Sequence, residues 1–212
     1  MLPPKILRFV PDAYYSLEQW QEIERITGKR YEYHDGHLVS VEAMAGGTHH
    51  HALLSGHVIR EVGNAIIARE ERQTSFSGCD ALTSDLRIAV DGGKRYLYAD
   101  AVVVCGDPVY DATVPSAIVN PVVVFEVLSP SSEKYDTGRK FDFYGGLDSV
   151  REYVIVHQDK RHVEIRHRAD AAGPWRYTIC ADVDGAVALP SLDVELSMQR
   201  VYRNWRAPET DD

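Results

Sequence analysis

The sequence predicts a single α/β domain, and three observations support this class. Its 212 residues, 44% apolar and 26% charged, are enough to form one domain with its own core. Short runs rich in β-branched and aromatic residues alternate with stretches whose apolar residues recur at helical spacing. No repeat or low-complexity segment divides the chain. We therefore expect an arm over residues 1–15, one domain over 16–205 and a C-terminal tail over 206–212.

The first element expected is a short helix over residues 16–28. Ser16 is its N-cap, Gln19 completes a capping box, and Gly28 ends it. Trp20 and Ile23 supply its apolar stripe.

A β-hairpin and a longer helix should follow. Asp35-Gly36 lies between two short apolar runs and predicts a two-residue turn. A flexible turn at Gly46-Gly47 precedes apolar residues at helical spacing over about 48–69. No Walker sequence follows these glycines, so a phosphate-binding loop is disfavoured.

The middle of the chain predicts strands. We expect one over residues 81–90 and another over 98–105, joined by the turn at 91–93, and then a loop over 107–116. Residues 120–129 read NPVVVFEVLS, and their short length and β-branched content favour a buried strand.

The last part of the chain predicts a helix, a hairpin and a closing unit. A helix over 133–145 carries Lys140, and strands over 152–157 and 162–167 form a hairpin. A final pair of strands and a short helix over 192–205 complete the domain.

Glu126 interrupts the most apolar strand of the chain. A carboxylate is costly to bury unless its charge is compensated. It either lies at the wet end of the sheet, pairs structurally with an arginine, or acts as a metal ligand or acid–base group at a strand end. Alternation places it on one face with Val122, Val124 and Leu128.

Four acids lie on or beside predicted strands: Glu32, Asp85, Asp100 and Glu126. Asp100 enters one strand where Glu126 leaves another, and two carboxylates brought together this way repel unless a cation neutralises them. Oxygen ligands favour Mg²⁺ or Mn²⁺ over zinc. Lys140 is expected to reach the same place from the following helix.

Charge and targeting features narrow the class of protein. A net charge of −9 argues against broad, nonspecific adhesion to nucleic acid, although bound cations or a local basic face would offset it. No stretch is expected to span a membrane or act as a signal peptide. The three cysteines form no CxxC pair and support neither a zinc knuckle nor a disulfide framework, so they are expected to be small core residues in a reducing cytoplasm.

Several motifs allow a second interpretation. The histidines at 49–51 with His57 resemble a zinc site only weakly because no HExxH pattern is present, and we expect His51 to line a cleft or hold the loop. Ser129 and Ser132 lack a nucleophile elbow, which favours an N-cap. The basic residues at 160, 161 and 166–168 (Lys160, Arg161, Arg166, His167 and Arg168) form either a nucleic-acid contact or a solvated face, and we favour the solvated face.

The chain also resembles the Uma-two family of restriction-endonuclease-like proteins, within the PD-(D/E)XK nuclease superfamily. The resemblance covers roughly residues 16–178. It is carried by residues 31–36 (YEYHDG), 43–48 (AMAGGT) with His51, 84–87 (SDLR), 98–106 (YADAVVVCG), Asn120-Pro121, 126–131 (EVLSPS), Asp136, Gly138, Lys140-Phe141, Tyr144 and 150–154 (VREYV).

This resemblance implies a restriction-endonuclease-like core, with a central mixed β-sheet flanked by α-helices and an N-terminal helix and hairpin. It makes Asp100 and Glu126 the paired acids, although Ala99 replaces the usual proline. Leu128 stands where other nucleases have lysine, so Lys140 resembles a displaced lysine. Glu32 resembles an additional acid.

The expected function is metal-dependent hydrolysis of DNA by a symmetric homodimer. Asp100, Glu126 and Glu32 would bind Mg²⁺ or Mn²⁺, with Asp85 a weaker ligand, and Lys140 would stabilise developing charge. The alternatives are an inactive module that binds nucleic acid or regulates, and a histidine-based zinc hydrolase.

Overall fold

Three β-sheets with flanking helices make up the residues that the computed structural model describes, which are 9–41, 48–73, 78–129 and 132–207. Their strands are β1 Tyr31–His34, β2 His37–Ser40, β3 Cys79–Thr83, β4 Arg87–Val90, β5 Arg95–Tyr98, β6 Ala101–Cys105, β7 Ala117–Ile118, β8 Val123–Val127, β9 Glu152–Val156, β10 Val163–His167, β11 Arg176–Cys180, β12 Ala186–Leu189 and β13 Val194–Ser197. The helices are α1 Leu17–Thr27, α2 His49–Glu70, α3 Glu133–Tyr135, α4 Phe141–Gly145 and α5 Met198–Val201, with a π-helical turn over Asp136–Lys140 and a 3₁₀ turn over Asp91–Gly93.

The largest sheet has six strands in the order β11-β10-β9-β8-β6-β3. It is mixed, because β8 and β9 run parallel while its other pairs are antiparallel. Every residue of β8 is buried, as expected for a strand covered on both faces. The predicted α/β class with a mixed sheet flanked by helices is confirmed.

A second sheet, β2-β1-β5-β4-β7, was not anticipated as a separate unit. The runs 81–90 and 98–105 each divide into two strands that belong to different sheets. Apolar alternation continues through both breaks, so it predicted extended chain correctly but not the point where the chain changes sheet. The second break falls at Ala99 and Asp100.

The first two helices and the hairpin agree with the sequence. Ser16 and Gln19 form the predicted capping box on α1, and Gly28 ends the helix in the left-handed region, with φ of 65°. Strands β1 and β2 pair across the Asp35-Gly36 turn. Thr48 caps α2 by accepting a hydrogen bond from the His51 amide. The glycines at 46 and 47 lie outside the described residues.

The six-stranded sheet has an apolar cluster on each face. On one face, residues of α2 such as Leu54 and Val58 pack with Val103 and Phe125. On the other face, β4 and β5 and the helical segment beyond β8 cover the sheet, with Tyr144 at the centre of the contact. A third cluster, around Trp20, joins α1 to the second sheet. The sheet that bears Glu126 is therefore a middle layer.

Two sequence expectations are corrected. Residues 192–205 do not form a helix, because 194–197 alternate buried and partly exposed side chains as β13, and only Met198–Val201 is helical. In addition, Cys79 and Cys105, which face each other across β3 and β6, form a disulfide. Their separation of 26 residues has no recognisable local motif, so only the strand pairing shows that they are neighbours.

The described part of the chain includes no helix both long and apolar enough to cross a bilayer.

Candidate active site

Asp100 and Glu126 lie opposite each other on neighbouring strands. Strands β6 and β8 are antiparallel with Ala101 beside Phe125, and continuing that register sets Asp100 against Glu126. Opposed residues of antiparallel strands share a face of the sheet. The Val127 amide donates a 2.7 Å hydrogen bond to Asp100 Oδ2, which fixes that carboxylate beside Glu126. The expected meeting of the two acids is therefore present in the fold.

Lys140 lies at the centre of three buried acids. Its ammonium Nζ is 2.9 Å from Glu126 Oε2, 3.6 Å from Glu32 Oε1 and 3.6 Å from Asp136 Oδ1. The π-helical turn helps to bring Asp136 and Lys140 inward together, since both residues are buried within it. One positive charge thus faces three carboxylates in a buried setting.

Glu32 is fully buried and reaches this cluster from the first hairpin. Its Oε2 accepts a 2.7 Å hydrogen bond from the Tyr135 hydroxyl and lies 3.0 Å from His34 Nε2. Burial favours protonation of this carboxyl, but the charge of Lys140 and the bonds from His34 and Tyr135 outweigh it and lower its pKa. Glu32 therefore remains an anion beside Lys140.

Burial and the neighbouring charges shift the pKa values of the other groups in the cluster. Burial raises the pKa of Glu126 well above its usual range, and the Lys140 charge only partly opposes this. The pKa of Asp136 is raised for the same reason. Burial would lower the pKa of Lys140, but the charges of Glu126, Glu32 and Asp136 overcome it and raise that pKa well above normal. These three groups therefore hold their protons more tightly than they would in water.

His51 extends the cluster toward solvent. Its Nε2 is 3.3 Å from Asp100 Oδ1, and it projects from the first turn of α2. Burial disfavours the imidazolium, but the hydrogen bond and charge of Asp100 outweigh burial and raise the pKa of His51. The expectation that His51 lines a cleft is thus met by its position.

These side chains line an open cavity of about 280 Å³. Asp100, Glu126, Asp136, Lys140 and Glu32 all reach it. Its rim includes Arg30, His51, Ser55, Ser84, Tyr98 and Ser132. A small polar or charged group can therefore enter from solvent and reach the acids.

Comparison with known proteins identifies the family. The profile of a family described as "Uma2: Putative restriction endonuclease" matches residues 10–199. The chain belongs to the Uma2 family. The likeness stated from the sequence motifs is thereby confirmed.

Relatives of this Uma2 chain have little description of their own. It is 29% identical over 185 residues to "Uncharacterized protein slr1290" of Synechocystis sp., covering 87% of this chain and 88% of that one. It is 31% identical over 85 residues to "Uncharacterized protein sll1609" of the same organism, covering 40% and 48%.

A solved structure supports the Uma2 fold independently. It is described as a "putative nuclease belonging to DUF820 from Anabaena variabilis", and it aligns with a TM-score of 0.64 at 14% identity. The alignment covers 84% of this chain and 92% of that one. At this identity the likeness establishes the fold alone.

The Uma2 cavity fits a hard divalent cation by the chemistry of its donors. Among the described residues, Glu126 Oε1 and Glu32 Oε1 are buried without a hydrogen-bond partner, which is costly for a carboxylate oxygen, although Lys140 Nζ lies 3.6 Å from Glu32 Oε1. Asp100 and Glu126 both line the cavity and offer oxygen ligands, and Mg²⁺ is usually held by one or two carboxylates. The Glu126 oxygen that lacks a hydrogen bond therefore favours a cation here.

Asp85 is not brought to the cavity. Its side chain is 85% exposed and its Oδ1 lies 3.2 Å from Arg30 Nη1. The neighbouring Ser84 lines the cavity instead. The break between β3 and β4 turns Asp85 outward, which the sequence pattern did not indicate.

Three contributors were not selected as site residues from sequence: Asp136, Tyr135 and His34. Asp136 carried a signal, since it stands four residues before Lys140 and was among the family-like positions. Tyr135 carried no such signal, and His34 lay within the family-like residues 31–36 without being selected, because only the tertiary fold brings the helix after β8 against the first hairpin.

The other motifs mostly have structural partners. His57 is buried with its Nδ1 2.9 Å from the Val201 carbonyl. Ser129 Oγ accepts a 3.1 Å hydrogen bond from the Ser132 amide, as an N-cap side chain does, whereas the Ser132 side chain does not cap the helix that follows. Arg168 is buried and donates to the carbonyls of residues 147, 150 and 171, so it forms no part of a solvated face.

Proposed function

We propose that this protein is a divalent-metal-dependent nuclease that hydrolyses DNA phosphodiester bonds in the cavity at Asp100 and Glu126. The observation that carries the proposal is the convergence of buried carboxylates on one ammonium in a cavity open to solvent, where Glu126 Oε1 has no hydrogen-bond partner among the described residues. Family membership supports the choice of nucleic acid as substrate.

Asp100 and Glu126 are the residues that would hold Mg²⁺ or Mn²⁺. Bound there, the ion would supply Lewis-acid polarisation of a phosphate oxygen and lower the pKa of an attacking water. Glu32, whose second oxygen is held by Tyr135, acts chiefly by orienting Lys140. Asp85 is left outside this set because it faces solvent.

Lys140 and His51 provide the remaining chemistry. The Lys140 ammonium is raised in pKa and stays protonated, so it can stabilise negative charge that develops on the phosphate. His51 touches Asp100 and reaches the cavity, so it can hold a proton near the leaving oxygen.

A cleavage assay tests this function. Tag-free protein is incubated with supercoiled plasmid, single-stranded DNA and RNA in Mg²⁺, Mn²⁺ or EDTA. We expect DNA cleavage with metal and none with EDTA, and Glu126→Gln and Asp100→Asn should lower the rate at least about 100-fold. Asp85→Asn is the matched control and should cleave normally. Full metal-dependent cleavage by Glu126→Gln would overturn the proposal.

The alternative is a nuclease-fold module that binds nucleic acid without cutting it. One observation favours this alternative: Lys140 is only 5% exposed and closely paired with Glu126, which keeps part of the cluster away from substrate. Absence of cleavage of every substrate above, with metal-dependent retention of DNA on native gels, would select this module.

Cutting of both strands is simplest in a C₂ dimer, which sedimentation analysis would detect. We also propose that the protein works in the cytoplasm.

A further inference from the structure

A cluster of His157, His162 and Glu164 lies on the hairpin of β9 and β10, away from the cavity. One ligand atom from each side chain lies within 4.8 Å of the other two. Among the described residues, these three are the set of histidine, cysteine or acidic side chains whose ligand atoms all lie within this distance of one another. The acids of the cavity do not form such a set. The cluster was not anticipated, because these residues were assigned only to a hairpin.

We propose that His157, His162 and Glu164 form a binding site for one transition-metal ion of the Zn²⁺ type. Glu164 Oε1 is 2.8 Å from His157 Nε2 and 3.7 Å from His162 Nε2. Zinc bound at about 2.0–2.2 Å from two imidazole nitrogens and one carboxylate oxygen needs ligand atoms slightly more than 3 Å apart. Sub-ångström to about 1 Å side-chain adjustments therefore complete this arrangement.

The strand register explains why these residues meet. Val156 and Val163 are paired across the hairpin, and the His157 amide donates a 3.0 Å hydrogen bond to the His162 carbonyl. His157 and His162 therefore follow and precede the turn at corresponding positions, and their rings are 4.8 Å apart. Glu164 is two residues beyond His162, on the same face of β10. A rigid hairpin presents all three side chains.

Neighbouring groups can orient the ligands. Asp159 Oδ1 is 3.7 Å from His157 Nδ1, so after a small shift it can accept a hydrogen bond from that N–H while Nε2 faces the metal. A carboxylate in this position is the usual support for a zinc-bound histidine. The Tyr177 hydroxyl on β11 donates to Glu164. The fourth zinc position remains for water, as in sites with three protein ligands.

The donor set separates this site from the cavity. Imidazole nitrogens favour zinc, copper or nickel, whereas carboxylate oxygens alone favour Mg²⁺ or Mn²⁺. The hairpin turn is tied to the rest of the domain, since Tyr202 donates to the carbonyls of His157 and His162 and Gln158 accepts from Thr48. Bound metal would thus fix the turn against α2 and α5.

Metal titration of tag-free protein tests the site. Chelator-treated Glu126→Gln protein, which removes a cavity ligand, is titrated with Zn²⁺ in competition with a chromogenic chelator. We expect one equivalent of Zn²⁺ to bind. Adding His162→Gln or Glu164→Gln to this background should weaken Zn²⁺ binding at least about 100-fold, because loss of a ligand costs more than loss of a residue that only orients one. His49→Gln/His50→Gln is the matched control and should bind normally.

A second measurement uses protein without changes in the hairpin. The zinc X-ray absorption spectrum of loaded Glu126→Gln protein should show two imidazole ligands and one carboxylate. Zinc held only by oxygen, loss of binding in the His49/His50 control, or full binding after His162→Gln would each overturn the site. The outcome is separate from that of the cleavage assay, because the two sites share no residue.

Discussion

The Lys140 ammonium compensates the charge of three buried carboxylates. Its ammonium contacts carboxylates from β1, β8 and the π-helical turn, so three separate segments depend on one charge. Removing one partner from a buried ion pair leaves uncompensated charge, which typically costs about 3–5 kcal/mol.

Replacement of Lys140 by methionine should therefore lower the free energy of unfolding by about 3 kcal/mol in EDTA. Because a divalent cation can replace part of the lost charge, Mg²⁺ should raise the melting temperature of Lys140→Met more than that of the wild type. Calorimetry with and without Mg²⁺ measures both effects. Lys134→Met, a change at an exposed position of the same helical segment, is the control and should behave like the wild type. Equal Mg²⁺ shifts in all three proteins would contradict this account.

Glu152 is a buried acid outside the cluster. Burial raises the pKa of its carboxyl, although the Ser191 amide and hydroxyl donate to it and oppose the rise. A raised folded pKa means that the stability contribution is greatest below the unfolded pKa, about 4.3, and is lost as pH rises through the folded pKa.

Relative to Glu152→Gln, the wild type should therefore lose stability as pH rises above about 4.3 and through the raised pKa of Glu152. Urea unfolding at several pH values gives the difference. Asp170→Asn, at an exposed acid, should show no such trend. The prediction is wrong if the wild type gains free energy of unfolding relative to Glu152→Gln as pH rises.

At the scale of elements, the helical segment after β8 depends on its π-helical turn. Asp136 and Lys140 both point inward from it, and α4 continues with Tyr144 in the core. A π-helical turn contains one residue more than an α-helix accommodates. The turn itself accommodates the extra residue, so it sets how Asp136 and Lys140 are placed relative to each other.

Deletion of Gly138 should therefore slow cleavage and destabilise the protein, since Asp136 and Lys140 would be three residues apart instead of four and could not both keep their contacts. Gly138→Ala is the matched control: a β-carbon there meets no atom within 4 Å, and the change should stabilise by about 0.5–1 kcal/mol. Thermal melting and the cleavage assay report the two effects. Normal cleavage by the deletion variant would show that the turn does not position Lys140.

Local sequence signals predict some helices and strands of this protein but not how they come together. Capping residues, the Asp35-Gly36 turn and apolar spacing act over a few residues, so α1, the hairpin and α2 were predictable. The alternation of apolar residues looks the same before and after the chain passes from one sheet to another. The division at Asp100 was therefore not predictable from the sequence. The acids were found because charge in an apolar strand is conspicuous, whereas Tyr135 joins them only through tertiary contact.

At the scale of the molecule, the net charge of −9 opposes approach of a polyanion. We therefore expect divalent cations to promote DNA binding as well as cleavage. Fluorescence anisotropy at fixed ionic strength can measure the binding of a cleavage-resistant phosphorothioate duplex. We expect this duplex to bind at least about tenfold more weakly in EDTA than in Mg²⁺. Equal affinities would mean that a basic face, and not the cation, attracts the DNA.

The lysine held among three carboxylates has a consequence for the life of the protein. Since an internal ammonium already balances part of the acid charge, we expect the polypeptide to reach its final shape without a divalent cation. Removal of the proposed cation should then stop cleavage while the fold stays intact, and its return should restore cleavage without refolding.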